Sequence, residues 1–135
     1  MEGEIVKKLK VLGKLEKVQK NAWWVDADMK HFDRLFNTLR MMGVEYISTI
    51  SGTEEKGVIS VVYHCELHGK TLNVRFRIPA KDPKIPTITG VFPGVELYER
   101  ELAEMLGVEV TGHPDPRPLF LADASPKTPL RRHTI

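Results

Sequence analysis

The chain has 135 residues, of which 41% are hydrophobic and 28% charged, a composition typical of one soluble globular domain. Its 20 Lys and Arg residues nearly balance 18 Asp and Glu residues, which does not indicate a nucleic-acid-binding protein. The single cysteine, Cys65, excludes an intrachain disulfide and a cysteine-ligated metal cluster in this chain. The apolar runs are far shorter than the ~18 residues of a membrane span, and the first residues do not resemble a secretion signal, so we expect a cytoplasmic protein.

The first third of the chain predicts two helices separated by a strand. Residues 4–19 place apolar side chains on one stripe and lysines around it, which is typical of an amphipathic helix. Residues 22–26 predict a short strand whose two adjacent tryptophans point to opposite faces. Asp28 is expected to cap a second helix, and Gly43 is expected to end it.

The middle of the chain predicts an antiparallel meander. Residues 44–51 form a strand, residues 52–57 form a polar turn, and residues 58–67 alternate between apolar and polar. His68 and Gly69 then form a tight hairpin turn into the next strand. These elements predict a two-layer α+β fold, with helices packed on one face of a mainly antiparallel sheet. The opposite face is expected to be polar, with His64, Glu66, Asn73, Arg75 and Arg77.

A third helix is predicted at residues 94–106, after an extended, proline-interrupted segment at residues 85–92. Gly107 is expected to end this helix, and a short strand should follow at residues 108–110. The spacing of three charged residues predicts a ladder on the exposed face of the helix: Glu96, Arg100 and Glu104.

Prolines become frequent after Gly112, and we therefore divide the chain into two parts. Residues 1–111 should form the α+β domain, and residues 112–135 an extended C-terminal docking tail.

Residue chemistry alone offers weak candidates for a site. His64 and Cys65 are neighbours on a strand and face opposite ways, so the His64–His68 cluster should not bind a metal. Glu99, Arg100 and Glu101 diverge by about 100° per position on a helix, which favours an ion-pair network over paired catalytic carboxylates.

Two alternatives remain open beside a small noncatalytic domain. One is a free-standing soluble enzyme that uses Glu99 or His113 in a cleft near the third helix. The other is a nucleic-acid binder that uses Lys70, Arg75 and Arg77, although no aromatic residues alternate with these cations.

Four ordered blocks follow one another from Ile85 to Arg132, and the first block, residues 85–101, contains two motifs. A Pro-Thr-Ile-Thr opening at residues 86–89 leads to Tyr-Glu-Arg-Glu at 98–101, and then come Glu-Met-Leu-Gly-Val, Gly-His-Pro-Asp and Pro-Leu-Arg-Arg, at 104–108, 112–115 and 129–132. This pattern resembles the 30-kDa subunit family of respiratory complex I, the NADH–quinone oxidoreductase. That family includes the equivalent subunit of membrane-bound, energy-converting nickel–iron hydrogenases. Pro116, Pro118 and the missing tryptophan before the helix favour the hydrogenase-like or archaeal branch.

The resemblance implies a noncatalytic peripheral-arm subunit of an ion-translocating oxidoreductase. Such a subunit holds no cofactor or metal, and iron–sulfur clusters, with nickel–iron in hydrogenases, belong to its partners. Those partners are a large hydrogenase-like catalytic subunit and iron–sulfur subunits, through which the chain would associate with the cytoplasmic face of the membrane. We expect Arg100 to pair with a carboxylate, and Arg131 and Arg132 to contact acidic groups of the partner. The implied motif and contact residues are Tyr98, Glu99, Arg100, Glu101, Gly107, His113, Pro114, Asp115, Arg117, Pro129, Leu130, Arg131 and Arg132.

Overall fold

The computed structural model describes residues 2–115, and side chains from residue 6 onward. The fold is α+β, as predicted, with a five-stranded sheet in the order β1-β2-β5-β4-β3 and a separate two-stranded sheet of β6 and β7. The elements in chain order are α1 (Glu2–Lys10), β1 (Gly13–Gln19), β2 (Ala22–Ala27), α2 (Phe32–Met42), β3 (Ile47–Glu55), β4 (Val58–Leu67), β5 (Lys70–Pro79), β6 (Lys84–Pro86), α3 (Glu96–Leu106) and β7 (Glu109–Thr111).

The five-stranded sheet is antiparallel at every pairing except one. β2 runs parallel to β5, with Trp23 beside Leu72 and Val25 beside Val74. The tight turn predicted between β4 and β5 is present, and His68 and Gly69 have positive φ angles of 50° and 76°. β6 and β7 pair in parallel outside this sheet, which places the end of β7 beside the segment after β6.

The helices cover one face of the sheet, and an aromatic cluster lies at the centre of the core. Phe32 and Phe36 of α2 pack on Tyr63 of β4 and Phe76 of β5. The ring centroids of Phe36 and Tyr63 are 4.7 Å apart at an interplanar angle of 67°. This edge-to-face geometry adds about 0.5–1.5 kcal/mol to the free energy gained by burying the rings.

The other sheet face is polar, as predicted. Ser51, His64 and Asn73 form a chain of hydrogen bonds across three strands, with heavy-atom distances of 2.9 and 2.6 Å. Arg75 and Arg77 both form ion pairs with Asp26. Burial raises the pKa of Asp26, but the hydrogen bonds from Arg77 and Arg75 outweigh burial and the pKa is lowered overall.

The predicted helix over residues 4–19 is wrong in its second half. The helix ends at Lys10, and Gly13–Gln19 forms strand β1 at the edge of the sheet. Gly13 approaches the backbone of β2 so closely that a Cβ atom would lie 2.9 Å from the Asp26 carbonyl oxygen. Leu15 alternates with the charged residues Lys14 and Glu16, a pattern that suits a strand. Leu15 lies beside Val25, and this pairing with β2 stabilises the segment as a strand.

Two further predictions need correction. β3 extends to Glu55, and the predicted polar turn therefore shrinks to Lys56 and Gly57. The predicted charge ladder on α3 is not exposed, because the sheet and the segment after β7 cover two sides of the helix. Glu104 is buried and the Arg100 side chain is only 11% exposed.

Replacing Phe36 with alanine should lower the free energy of unfolding by about 3–5 kcal/mol, because it leaves a cavity in the aromatic cluster. Met41→Ala on the same helix is the matched control, since the Met41 side chain is 86% exposed. Chemical denaturation of both variants measures the difference. A loss below about 1 kcal/mol for Phe36→Ala would contradict the central position of this ring.

Candidate docking site around the third helix

The motif residues converge because the chain turns back onto α3 after leaving it. Gly107 ends the helix with a left-handed φ of 71°, and β7 then pairs with β6. Gly112 has a φ of 78°, which favours glycine and reverses the chain direction after β7. His113 and Asp115 therefore lie against the first two turns of α3.

Glu99 is a buried carboxylate with its hydrogen bonds satisfied. Its side chain is 1% exposed. One oxygen accepts a hydrogen bond from the Thr87 hydroxyl at 2.6 Å, and the other accepts one from the Ile88 backbone N–H at 2.8 Å. Burial raises the pKa of Glu99, while these two hydrogen bonds and the nearby His113 oppose the rise.

His113 uses both ring nitrogens to connect its own segment to α3. Nδ1 accepts a hydrogen bond from the Asp115 backbone N–H at 2.9 Å, so this nitrogen carries no proton. Nε2 therefore carries the proton and donates it to the Glu96 carbonyl oxygen at 2.9 Å. The same Nε2 lies 3.9 Å from a Glu99 carboxylate oxygen, and the His113 side chain is 2% exposed.

Arg100 pairs with a carboxylate, as predicted. Its guanidinium lies 3.5 Å from the Asp115 carboxylate, and the two side chains are 11% and 26% exposed. We call the set Glu99, Arg100, His113 and Asp115 the α3 latch. It joins two of the predicted motifs, Tyr-Glu-Arg-Glu and Gly-His-Pro-Asp.

The remaining predicted residues have different positions. Tyr98 is half-buried against the core, whereas Glu101 and Pro114 are exposed. Five predicted contact residues lie outside the described part of the chain: Arg117, Pro129, Leu130, Arg131 and Arg132.

The latch depends on three groups that were not predicted from the sequence. The Thr87 hydroxyl lies inside the first motif, and its position there was an available signal. The Ile88 N–H and the Glu96 carbonyl belong to the backbone, so no side-chain pattern could indicate their role.

A cavity of about 230 Å³ adjoins the latch and is lined in part by Glu99, Arg100 and His113. Both Glu99 oxygens and both His113 nitrogens already have hydrogen-bond partners within the protein. A general base must offer an accessible lone pair to a substrate proton. The lone pair of His113 Nδ1 is already used and the Glu99 side chain is only 1% exposed, so this arrangement favours a structural role over acid–base catalysis.

The tyrosine beneath the latch is polar and deeply buried. The Tyr63 hydroxyl has no hydrogen-bond partner within the described residues. Its burial, and then the charge of Glu99, raise the pKa of this phenol well above its usual range. The neutral hydroxyl adds no charge to the interior around Glu99.

Cys65 and His64, considered above as metal ligands, lie on opposite faces of the sheet. Cys65 faces the core, and burial raises the pKa of its thiol to about 12, so little of it is the reactive thiolate near neutral pH. His64 lies on the opposite sheet face, as predicted. Among the side chains that the structure describes, those of residues 6–115, no three His, Cys, Asp or Glu residues are grouped in a way that could hold a metal ion. None of the helices described is long and apolar enough to cross a membrane.

Comparison with known proteins identifies the family. The model for "Respiratory-chain NADH dehydrogenase, 30 Kd subunit" matches residues 25–134, most of the chain. The chain belongs to this family. The match begins well before the four blocks that contain these motifs, and it confirms the resemblance that they predicted.

Relatives of the 30-kDa subunit family align over part of their length. An NADH-quinone oxidoreductase subunit of Rhizobium rhizogenes is 40% identical over 73 residues, which cover 53% of this chain and 36% of that protein. The NADH-quinone oxidoreductase subunit 5 of Thermus thermophilus is 28% identical over 114 residues, which cover 78% of this chain and 54% of that protein. The chain thus spans between a third and about half of these relatives.

Two solved structures share the fold of this family member. A trypsin-resistant fragment of Nqo5 superposes with a TM-score of 0.72 and 22% identity, covering 84% of this chain and 98% of the fragment. A chain of the membrane-bound sulfane sulfur reductase, described as an archaeal respiratory membrane complex, gives a TM-score of 0.82 and 21% identity. That alignment covers 91% of this chain and 78% of the other.

Replacing His113 with alanine should destabilise the domain by about 1–3 kcal/mol, because the Asp115 N–H loses its acceptor and the Glu96 carbonyl loses a donor. Chemical denaturation measures the loss. Glu101→Ala is the control, because it truncates an exposed side chain of the same helix. Equal stability of both variants would show that His113 does not hold the segment in place.

Glu99 also predicts a pH dependence. A carboxyl group whose pKa is raised on folding stabilises the protein fully below its unfolded pKa, about 4.5, and this contribution disappears as the pH rises through the folded pKa. The wild type should therefore lose stability over that range relative to Glu99→Gln, which cannot titrate. Denaturation from pH 4 upward measures the difference between the two proteins. Parallel curves would contradict the raised pKa, and Glu101→Gln is the exposed control.

Proposed function

We propose that this chain is a noncatalytic peripheral-arm subunit of a membrane-bound, ion-translocating oxidoreductase. The observation that carries the proposal is the α3 latch, in which four family-motif residues hold the segment from His113 to Asp115 against α3. Their polar atoms bind each other, the Thr87 hydroxyl and the backbone, although three of the residues also line the cavity of about 230 Å³ beside α3. Such an arrangement suits a domain that positions a neighbouring subunit.

The residues after the latch have the composition of a docking segment. Pro116, Pro118, Pro126 and Pro129 restrict φ, so a segment that contains them loses less conformational entropy when it binds. Arg131 and Arg132 can each bind a carboxylate through two parallel hydrogen bonds. We therefore propose that residues 116–132 extend over the large hydrogenase-like catalytic subunit, with these arginines on its acidic groups.

The cofactors of the proposed complex belong to its other subunits. Electrons would pass through iron–sulfur clusters there, and through a nickel–iron centre if the complex is an energy-converting hydrogenase. Pro116 and Pro118 favour that branch, or a related ferredoxin-linked complex, over the quinone reductases. In this proposal the chain lies at the cytoplasmic face of the membrane and associates with it through partner subunits.

The alternative of a free-standing small enzyme has weaker support. It needs Glu99 or His113 as a base in the cavity beside α3, which has a volume of about 230 Å³. The hydrogen bond from the Asp115 N–H to His113 Nδ1 would have to break before His113 could accept a substrate proton, and the Glu99 carboxylate, which is 1% exposed, would have to become accessible.

Reversing the charge of both arginines, Arg131→Glu with Arg132→Glu, should prevent the chain from joining its complex. Two repulsive contacts would replace two attractive ones, so recovery of the large subunit with the tagged chain should fall at least about tenfold. The measurement is isolation from the native cells in mild detergent, followed by quantitative identification of the associated proteins. Arg131→Lys with Arg132→Lys is the control, because it keeps the positive charge. Undiminished recovery with the glutamate variant would contradict the docking role.

A further inference from the structure

A groove lies between α1 and α2, on the side of the molecule formed by the N-terminal helix. Its volume is about 530 Å³, and we call it the α1–α2 groove. Lys7 and Lys8 of α1 and Arg34 of α2 line it together with Val11 and Met41. The residues of the α3 latch do not contribute to its walls.

The walls of the groove expose apolar side chains to solvent. Met41 is 86% exposed and Val11 62% exposed, more than any other large apolar residue in the described part of the chain. Leu12 also lines the groove but is 2% exposed, so it forms a floor that is fixed in the core. Adjacent exposed apolar side chains indicate an interaction surface, and methionine adapts readily to the shape of a partner.

The α2 wall is a regular stripe. Arg34, Thr38 and Met41 have the i, i+4, i+7 spacing that places side chains on one helix face. The Thr38 hydroxyl donates a hydrogen bond to the Arg34 carbonyl oxygen at 2.7 Å, so its donor is already used within the helix. The wall therefore offers apolar contact together with one strong cation.

The charged side chains that line the groove have the same sign. Among the described residues, Lys7, Lys8 and Arg34 are its charged lining residues, and none of the lining residues is a carboxylate. The lysines lie in the last turn of α1, where cations also stabilise a helix. Arg34 lies in the first turn of α2, where the helix dipole disfavours a cation, so helix stability does not account for it.

We propose that the α1–α2 groove binds an acidic, amphipathic segment of a partner subunit. The apolar side chains of that segment would pack on Met41, Val11 and Leu12, while its carboxylates would lie near Lys7, Lys8 and Arg34. The inference rests on the proposed assembly role and adds a second contact to it, independent of residues 116–132.

Charge argues against the other occupants. A second copy of the chain would bring the same three cations to the interface. Residues 116–135 of this chain carry four Lys and Arg residues and only one acidic residue, so their charge has the same sign as the groove and does not complement it. An anionic membrane would require α1 to insert an apolar face, but Leu9 and Leu12 are buried in the core at 0% and 2% exposure.

The test places a photo-crosslinking amino acid, p-benzoylphenylalanine, at position 41 of the full-length chain in its native complex. After irradiation, the crosslinked peptides are identified by mass spectrometry. The same probe at Tyr46 is the control, because that aromatic side chain is 61% exposed and does not line the groove. We expect position 41 to crosslink to a segment of another subunit that is rich in Asp and Glu.

Charge variants of Arg34 complete the design. Arg34→Glu should reduce the crosslink yield about tenfold, whereas Arg34→Lys should keep it within about twofold. A glutamate in the first turn of α2 is favoured by the helix dipole, so loss of folding should not cause the decrease. An equal crosslink yield for Arg34→Glu and Arg34→Lys would contradict the proposal.

The other outcomes are equally decisive. Crosslinks from position 41 to lipid, to residues 116–135 or to a second copy would overturn the acidic partner. So would a yield no higher than that of the Tyr46 control. Isolation of the chain without any other subunit would contradict the assembly role as well, whereas an intact complex without the crosslink contradicts the groove alone.

Discussion

The Glu99 carboxylate lies in the interface between α3 and the segment after β6, with 1% of its side chain exposed. Burying a carboxylate there is unfavourable unless its oxygens are bonded, and the Thr87 hydroxyl and the Ile88 N–H bond one each. This requirement fixes the position of the segment that contains Thr87 and Ile88. His113 then lies beside Glu99, and Asp115 pairs with Arg100 on the next helix position. One buried carboxylate thus connects parts of the chain that are far apart in sequence.

The sequence predicted that these motif residues act together, but it did not predict how. Helical periodicity treats a charged residue as a solvent-exposed side chain, so Arg100 was expected in an exposed ladder, and Glu99 was expected in an ion-pair network without any prediction that it is buried. Glu99 is buried and Arg100 is mostly covered because the segments after β6 and after β7 pack on the helix, and these are tertiary contacts. Backbone groups such as the Glu96 carbonyl complete the site, and a pattern of side chains cannot predict the role of a backbone group.

Sequence patterns within a few residues predicted the helix ends, strands and turns that neighbouring residues determine. Gly43 ends α2 with a φ of 112°, as expected. Asp28 accepts a hydrogen bond from the Lys30 N–H, but it caps a short 3-10 helix at Met29–His31 that precedes α2, and the N-cap of α2 itself is His31. The alternating strands and the turn at His68 and Gly69 were also predicted. Pairing between distant strands decided the rest: β2 makes β1 a strand and lies parallel to β5, and no periodicity within a helix-length window contains that information.

The α3 latch is complete within this one chain, so in the proposed assembly the docking segment begins from a fixed point. Preformed geometry reduces the entropy lost on association. Amide hydrogen exchange of the isolated chain, followed by NMR, tests this most directly. The Ile88 and Asp115 amides donate to the latch and should exchange slowly, whereas the amide of the exposed Gly90 should exchange fast. Exchange of Ile88 and Asp115 as fast as that of Gly90 would contradict a preformed latch.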